Sequence, residues 1–252
     1  MHLLKNIEKR GNKMFRENLT HSKIRPKNDR FFILNLKTYK KGYGNEALKI
    51  AKILEDFQRK VKVKIGVAVS PTDIRMIVEE CDIGVFAQHI DNIGFGAHTG
   101  YILPEAVAES GAIGSLINHA EHRLTLSEIH ALIQKCHSLD LTAVVCTNNV
   151  ATTKAASVLE PDLVAVEPPE LIGGDVSVST ARPEVITASV EAVKQIAPKV
   201  GVLCGAGVKT EEDVRRAIEL GSQGILLASG VVKASDPKKV TEDMLRGFGE
   251  HL

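Results

Sequence analysis

Residues Ile113–Cys146, with the sequence IGSLINHAEHRLTLSEIHALIQKCHSLDLTAVVC, contain two short apolar runs separated by a helical pattern. The runs Ile113–Ile117 and Leu141–Cys146 are apolar at nearly every position, which is typical of parallel strands covered on both faces. Between the runs, Ser127–His137 places its apolar side chains on one helical stripe, and Ser127 is its predicted N-cap. We therefore predict a strand, a helix and a parallel strand in succession.

The same unit repeats along the whole chain from residue 31 onward. The other apolar runs are Phe31–Leu36, Val63–Val69, Ile83–Ala87, Leu163–Val166, Val200–Cys204 and Gly224–Ala228. Eight strands alternating with helices, at about 28 residues a unit, fit a closed (β/α)8 barrel of the TIM-barrel type. An open doubly wound sheet is the alternative, but it normally carries a glycine-rich turn after its first strand. The sequence at the end of the first run is Asn35-Leu36-Lys37-Thr38, which contains no glycine, so the barrel is favoured.

Composition and charge limit the function classes. The chain has 252 residues, of which 44% are hydrophobic, and it lacks an apolar run of ~18 residues, so we expect no membrane span. Residues 1–30 carry nine basic and three acidic side chains, a net charge of +6, whereas the other 222 carry 23 and 28, a net charge of −5. We therefore predict a basic, flexible N-terminal extension (1–30), with a partner-binding arm as the alternative, and a barrel domain (31–252) that does not bind nucleic acid.

Four widely spaced cysteines favour a reducing compartment. They are Cys81, Cys136, Cys146 and Cys204, and they form neither a CxxC pair nor a disulfide-rich pattern. We expect buried free thiols and a cytoplasmic location.

Polar and small residues follow the apolar runs, at the ends where barrel enzymes build their sites. The residues at these positions are Asn35, Lys37, Gln88, Asn118, His119, Thr147, Asn148, Glu167, Gly205–Gly207 and Ala228–Gly230. A carboxylate directly after an apolar run is costly unless it is paired or functional. The two small-residue turns would let backbone amides approach an anion such as phosphate. His119 and His122 do not match a known zinc spacing, so we expect no metal and no cofactor.

These motifs, in this order, resemble the triosephosphate isomerase family, in its compact archaeal-type branch. The similar segments are Asn35-Leu36-Lys37, Gly96–Gly100, Asn118–Arg123, Ala165–Gly173, Cys204–Gly207 and Leu227–Gly230. The resemblance implies interconversion of dihydroxyacetone phosphate and D-glyceraldehyde 3-phosphate through an enediolate. It extends from about residue 31 to the C-terminus.

The resemblance also implies roles for individual residues. Glu167 would be the base, His119 the electrophile, and Lys37 a catalytic positive charge that also binds substrate together with Asn35. Ile172, Gly173, Gly207, Ala228 and Ser229 would hold the phosphate. The segment after Glu167 would close as a lid, Ala120–Arg123 would begin a helical turn beside His119, and Glu121 would pair with Lys37. A homodimer or homotetramer would form through Gly94–Gly100.

The chain departs from the family pattern at three positions. The family usually has serine in place of Ala120, arginine in place of His122, and a Gly-Thr-Gly sequence in the region of Asp175. Asp175, close to the expected phosphate, motivates an alternative in which the substrate is a four-carbon ketose phosphate. A second alternative is a phosphate-binding barrel lyase with a Schiff-base lysine, for which Lys62 and Lys64 are the candidates. A third is a non-catalytic scaffold that acts through its basic extension.

Overall fold

The computed structural model describes residues 29–173 and 177–252. Eight strands pair in chain order, each parallel to its neighbours, and the eighth pairs with the first, so the sheet is a closed barrel. The strands are β1 (Phe31–Asn35), β2 (Lys64–Val69), β3 (Gly84–Ala87), β4 (Gly114–Ile117), β5 (Thr142–Thr147), β6 (Leu163–Val166), β7 (Gly201–Gly205) and β8 (Gly224–Leu227). The predicted (β/α)8 barrel is confirmed, and each strand lies within one residue of its predicted run.

Helices cover the outside of the barrel. They are α1 (Gly44–Gln58), α2 (Ile74–Glu80), α3 (Pro104–Glu109), α4 (Leu126–Ser138), α5 (Val150–Ser157), α6 (Val178–Ala181), α7 (Pro183–Ile196), α8 (Glu211–Glu219), α9 (Ser229–Val232) and α10 (Pro237–Arg246), with 3-10 turns at Pro71–Asp73 and Pro169–Leu171. None of the helices in the described part of the chain is long and apolar enough to cross a bilayer.

The cap of one helix differs from the prediction. The predicted cap of α4 at Ser127 is wrong: Thr125 is the N-cap, and it forms a capping box with Glu128. Both hydroxyl residues precede the same apolar stripe, but only Thr125 has a glutamate three residues later, so its side chain and the glutamate satisfy two backbone amides reciprocally. Another capping box begins α8, with Thr210 as the N-cap and Asp213 as its partner.

Side-chain alternation along the strands divides the core into two layers. On β1, Phe31 and Ile33 belong to the cluster that fills the barrel, whereas Phe32 and Leu34 belong to the larger cluster between strands and helices. Inside the barrel, Phe86 fills the space that Gly66 and Gly114 leave on the two neighbouring strands. A side chain at either glycine would collide with the Phe86 ring, so the sequence balances one large residue against two that have no side chain.

The basic extension falls almost wholly outside the described residues. Of the predicted segment 1–30, only Asp29 and Arg30 are described, and the Arg30 guanidinium donates to the carbonyl of Ser222, ahead of β8. The division of the chain at residue 30 therefore stays a prediction. The four cysteines are buried free thiols, as expected.

Barrel closure leaves no room for a side chain where β8 meets β1. A Cβ at Gly224 would overlap the carbonyl oxygen of Phe31, its partner in the β1–β8 register. Because a backbone atom cannot move aside without breaking the ladder, we expect Gly224→Ala to destabilise the protein by about 1–3 kcal/mol. At about 2–4 °C per kcal/mol for a domain of this size, thermal unfolding will detect the change.

The control for this substitution is Gln195→Ala. Gln195 is exposed on α7, far from the β1–β8 seam, so the change in stability should stay within about 0.5 kcal/mol. Equal melting temperatures for the two variants would contradict the account of the closure.

Candidate active site

Side chains alternate between the two faces of each strand, so every second residue points into the barrel as far as its carboxyl end. Ile33, Ala165 and Leu203 fill the barrel, and the residues two positions further on also point inward. Those residues are Asn35, Glu167 and Gly205, and they meet at the rim where β1, β6 and β7 end. One alternation therefore builds both the hydrophobic filling and the polar site above it.

Glu167 is held from the strand backbone and from the neighbouring strand β7. Its amide donates to the carbonyl of Thr147 at 2.7 Å, which continues the β5–β6 ladder by one residue. A Cβ at Gly205 would overlap the Cγ of Glu167, so the absence of a side chain on β7 leaves the space that the glutamate occupies. The carboxylate is only 6% exposed. A buried carboxylate of this kind needs partners or a chemical function.

The thiol of Cys146 lies below this carboxylate. Burial, the charge of Glu167 and a hydrogen bond to Glu167 together raise the pKa of the Cys146 thiol well above its usual range. The sulfur therefore remains protonated and supplies a weak donor to the carboxylate. The sequence indicates only a buried thiol at Cys146. It does not predict the contact with Glu167, because nothing in the spacing connects positions 146 and 167.

The imidazole of His119 faces the same carboxylate. Its Nδ1 accepts a hydrogen bond from the amide of Glu121 at 3.1 Å, and its Nε2 lies 3.7 Å from Oε2 of Glu167. Because Nδ1 is an acceptor, the neutral ring carries its proton on Nε2, the atom that points toward the carboxylate. Within the described residues neither Nε2 nor Oε2 has a hydrogen-bond partner, so both can turn to a third molecule.

The helical turn that we expected beside His119 is absent from the described structure. Residues 120–122 form only a turn, closed by the hydrogen bond from the His122 amide to the His119 carbonyl. The local geometry comes instead from Asn118, which has a left-handed backbone (φ 60°) and whose side chain bonds both Cys146 and Leu124. A single amide, that of Glu121, therefore sets the tautomer in place of a helix terminus.

Lys37 contributes a positive charge to the site. Its Nζ pairs with Glu121 at 2.8 Å, which confirms the pairing predicted from the sequence, and its side chain is nine-tenths buried. The backbone at Lys37 is left-handed (φ 50°), and its amide and carbonyl are bonded by the side chains of Asn35 and Gln88. A strained backbone held by two amide side chains indicates that the lysine must be oriented accurately.

Two small-residue turns, here termed the cradle, lie beside these groups. After β7, Ala206 (φ 69°) and Gly207 (φ 73°) have left-handed backbones, and after β8 the short helix α9 begins at Ser229. The first amides of a helix and the amides of such a turn lack backbone acceptors, so they suit a phosphate. Gly207, Ala228 and Ser229 line one cleft together with Asn35, Lys37 and Glu167.

The segment after Glu167 contributes to the wall of this cleft. The 3-10 turn Pro169–Leu171 leads to Ile172 and Gly173, and both of these residues line the cleft. Glu170, in the 3-10 turn, and Arg182, directly before α7, form an ion pair at 2.9 Å. This pair links the beginning of the segment to the residue that precedes α7. Asp175, on which the four-carbon alternative depends, lies outside the described residues.

Every residue to which the resemblance assigns a catalytic or substrate-binding role therefore lines the cleft, except His119, which contacts Glu167 without lining it. Of the other polar residues at strand ends, Gln88, Asn118, Thr147 and Asn148 do not line it. The sequence analysis missed Tyr39, which lines the cleft two residues after Lys37. His122 lies elsewhere, stacked on His89 at 3.8 Å between ring centroids. Burial and the neighbouring His122 lower the pKa of His89, against the opposing effect of Asp91. Lys62 and Lys64, the candidates for a Schiff base, lie before and at the start of β2, at the opposite end of the barrel.

The fold, with polar side chains gathered in a cleft at the carboxyl end of its strands, is that of an enzyme-type (β/α)8 barrel. The family model described as triosephosphate isomerase matches residues 30–244. The chain is 52% identical over 213 residues to the triosephosphate isomerase of Archaeoglobus fulgidus, covering 84% of this chain and 96% of that one. It is 51% identical over 214 residues to that of Methanocaldococcus jannaschii, covering 85% and 98%.

The chain therefore belongs to the triosephosphate isomerase family, and these relatives agree with the archaeal-type branch. The crystal structure of the triosephosphate isomerase from Bartonella henselae superposes with a TM-score of 0.70 at 18% identity, over 87% of this chain and all of that one. At this identity the match supports the fold.

The hydrogen bond from Glu121 to His119 gives a spectroscopic prediction. In ¹⁵N NMR spectra of the labelled protein at neutral pH, His119 should show a protonated Nε2 and an unprotonated Nδ1. The signals are assigned by their loss in the His119→Gln variant. A protonated Nδ1 would contradict the geometry, because that nitrogen could not then accept the amide proton of Glu121.

Proposed function

We propose that this chain is an aldose–ketose isomerase that interconverts dihydroxyacetone phosphate and D-glyceraldehyde 3-phosphate. The observation that carries the proposal is the pair formed by Glu167 and His119, whose facing atoms are 3.7 Å apart beside the cradle. Relatives that are 52% and 51% identical over almost their whole length have the name of this enzyme. The reaction serves both glycolysis and gluconeogenesis.

The proposed chemistry needs a base at carbon and a donor at oxygen. Glu167 takes a proton from C1 of dihydroxyacetone phosphate and returns it to C2, so the base is regenerated in each turnover. His119, with its proton on Nε2, donates to the developing enediolate oxygens and moves a proton between O1 and O2. A neutral imidazole suits this role because it can donate and accept without placing a full positive charge beside the glutamate.

Lys37 and the cleft walls hold the charged parts of the substrate in this proposal. The Lys37 ammonium stabilises the enediolate and the phosphate in a largely dry environment, where charge interactions are stronger than in water. Asn35 orients the loop that carries Lys37. Gly207, Ala228 and Ser229 bind the phosphate from below, while Ile172 and Gly173 cover it and exclude water during the proton transfers.

We also propose that the active protein is a homodimer or a homotetramer. The loop between β3 and α3 exposes Phe95 (81%) and Tyr101 (60%), and large apolar side chains so exposed are typical of a protein interface. A cytoplasmic location is proposed on the four buried free thiols, which suit a reducing compartment.

A coupled assay tests the proposed substrate. Purified protein, treated with a chelator, should convert dihydroxyacetone phosphate without added metal or nucleotide, and kcat/KM should be lower for a four-carbon ketose phosphate. A preference for the four-carbon substrate would establish the alternative from the sequence instead. Covalent trapping by borohydride in the presence of substrate would support the lyase.

Replacement of the base tests the mechanism. Glu167→Gln should lower kcat by at least ~10²–10⁴, because the amide cannot accept the carbon-bound proton. Circular dichroism and the melting temperature should match those of the wild type. Glu191→Gln, an exposed site on α7, is the control that removes a carboxylate far from the cleft. Near-full activity of Glu167→Gln would show that the base is another group.

A further inference from the structure

Two lysines join the loop after β1, which contributes Tyr39 to the cleft wall, to the segment after β8. The Nζ of Lys233 lies 4.7 Å from the centroid of the Tyr39 ring, and the Nζ of Lys41 donates to the carbonyl of Ala234 at 2.8 Å. Both contacts link the same two segments. One segment carries Lys37, and the other carries the part of the cradle formed by Ala228 and Ser229.

The position of Lys233 follows from the short helix α9. The amide of Lys233 donates to the carbonyl of Ser229, so the lysine stands one turn beyond the residue that begins the helix. Its side chain is exposed and extends back over Tyr39, which itself lines the cleft. The ammonium therefore lies against a residue of the cleft wall.

An aromatic face holds a cation without cancelling its charge. The negative face of the ring attracts the ammonium, but unlike a carboxylate it adds no compensating unit of charge. Lys37 differs in this respect, because Glu121 neutralises it at 2.8 Å. Of these two lysines, Lys233 therefore contributes more to the positive potential that a distant anion experiences at the mouth of the cleft.

We infer that Lys233, held by the face of Tyr39, is a specificity-determining residue that selects substrates bearing a dianionic phosphate. The inference rests on the proposed function and adds Lys233 to the groups that recognise the phosphate of the substrate. Tyr39 is the positioning residue, since it acts by holding the ammonium above the cleft wall. The phosphate itself remains bound by the amides of the cradle, and Lys233 increases the rate and affinity with which it arrives there.

The test compares a phosphorylated substrate with an unphosphorylated one. Lys233→Met should lower kcat/KM for D-glyceraldehyde 3-phosphate by about 3–10-fold at low salt, the effect of one unit charge on a dianion across solvent-exposed surface. The ratio of this kcat/KM to that for D-glyceraldehyde should fall by the same factor. The decline of kcat/KM with added salt should also become shallower, because salt screens the charge that has been removed.

Matched variants separate charge from structure. Lys233→Arg keeps a cation over the ring and should restore the substrate ratio, whereas Lys194→Met removes an exposed charge on α7 and should leave it unchanged. Tyr39→Leu should reproduce part of the Lys233→Met effect. The double variant should lose less than the product of the two single losses, because each single change disrupts the same contact.

The dissociation constant of inorganic phosphate, measured by calorimetry, gives a readout that does not require turnover. It should rise about 3–10-fold in Lys233→Met and stay unchanged in Lys194→Met. An unchanged substrate ratio and salt dependence, or an equal loss with both substrates, would overturn the role of Lys233. A wild-type protein that binds phosphate through Lys233 but does not isomerise triose phosphates would instead overturn the proposed function alone.

Discussion

The structure depends on a constraint that is purely geometric: side chains alternate between the two faces of every strand in a closed parallel barrel. Phe31 and Ile33 fill the interior of the barrel, so Asn35 must emerge at the rim on the same side. Ala165 and Leu203 direct Glu167 and Gly205 in the same way. A shift of one residue in any of these strands would exchange core and site at once. The packing of the barrel and the placement of its chemistry are therefore one requirement.

Above this frame, Glu121 connects the two sides of the site. Its amide fixes the proton of His119 on Nε2, while its carboxylate holds Lys37. The other oxygen of this carboxylate lies 3.5 Å from Nδ1 of His119, so the Glu121 side chain contacts both the imidazole and the lysine. Asn118 supports both effects because its left-handed backbone and side-chain bonds close the loop that carries His119 and Glu121. The neutral imidazole and the fixed cation thus share a support.

The barrel could be predicted from the sequence because eight apolar runs each indicate a strand, and an error at the end of one run does not change the others. A single side-chain contact has no such repeated pattern to indicate it. Ser127 and Thr125 are equally good caps in isolation, and only the glutamate three residues after Thr125 distinguishes them. Cys146 and Glu167 meet because β5 and β6 are neighbours, and Tyr39 reaches the cleft because its loop folds back. Both contacts depend on register and loop geometry, which residue spacing does not encode.

The charges of the site are arranged by distance from the reacting atoms. In the proposed mechanism, a neutral imidazole next to Glu167 leaves the carboxylate free to take a proton from carbon rather than committing it to a buried ion pair. The lysine beside it is already paired with Glu121, which limits its attraction for the base. A cation held by an aromatic face is tolerable only further out, where water shares the cost of its charge. The proposed proton transfer requires near neutrality at the centre, and the proposed attraction of a dianion requires positive charge at the rim. The two requirements are compatible because the central groups lie at strand ends and the outer cation lies on a loop.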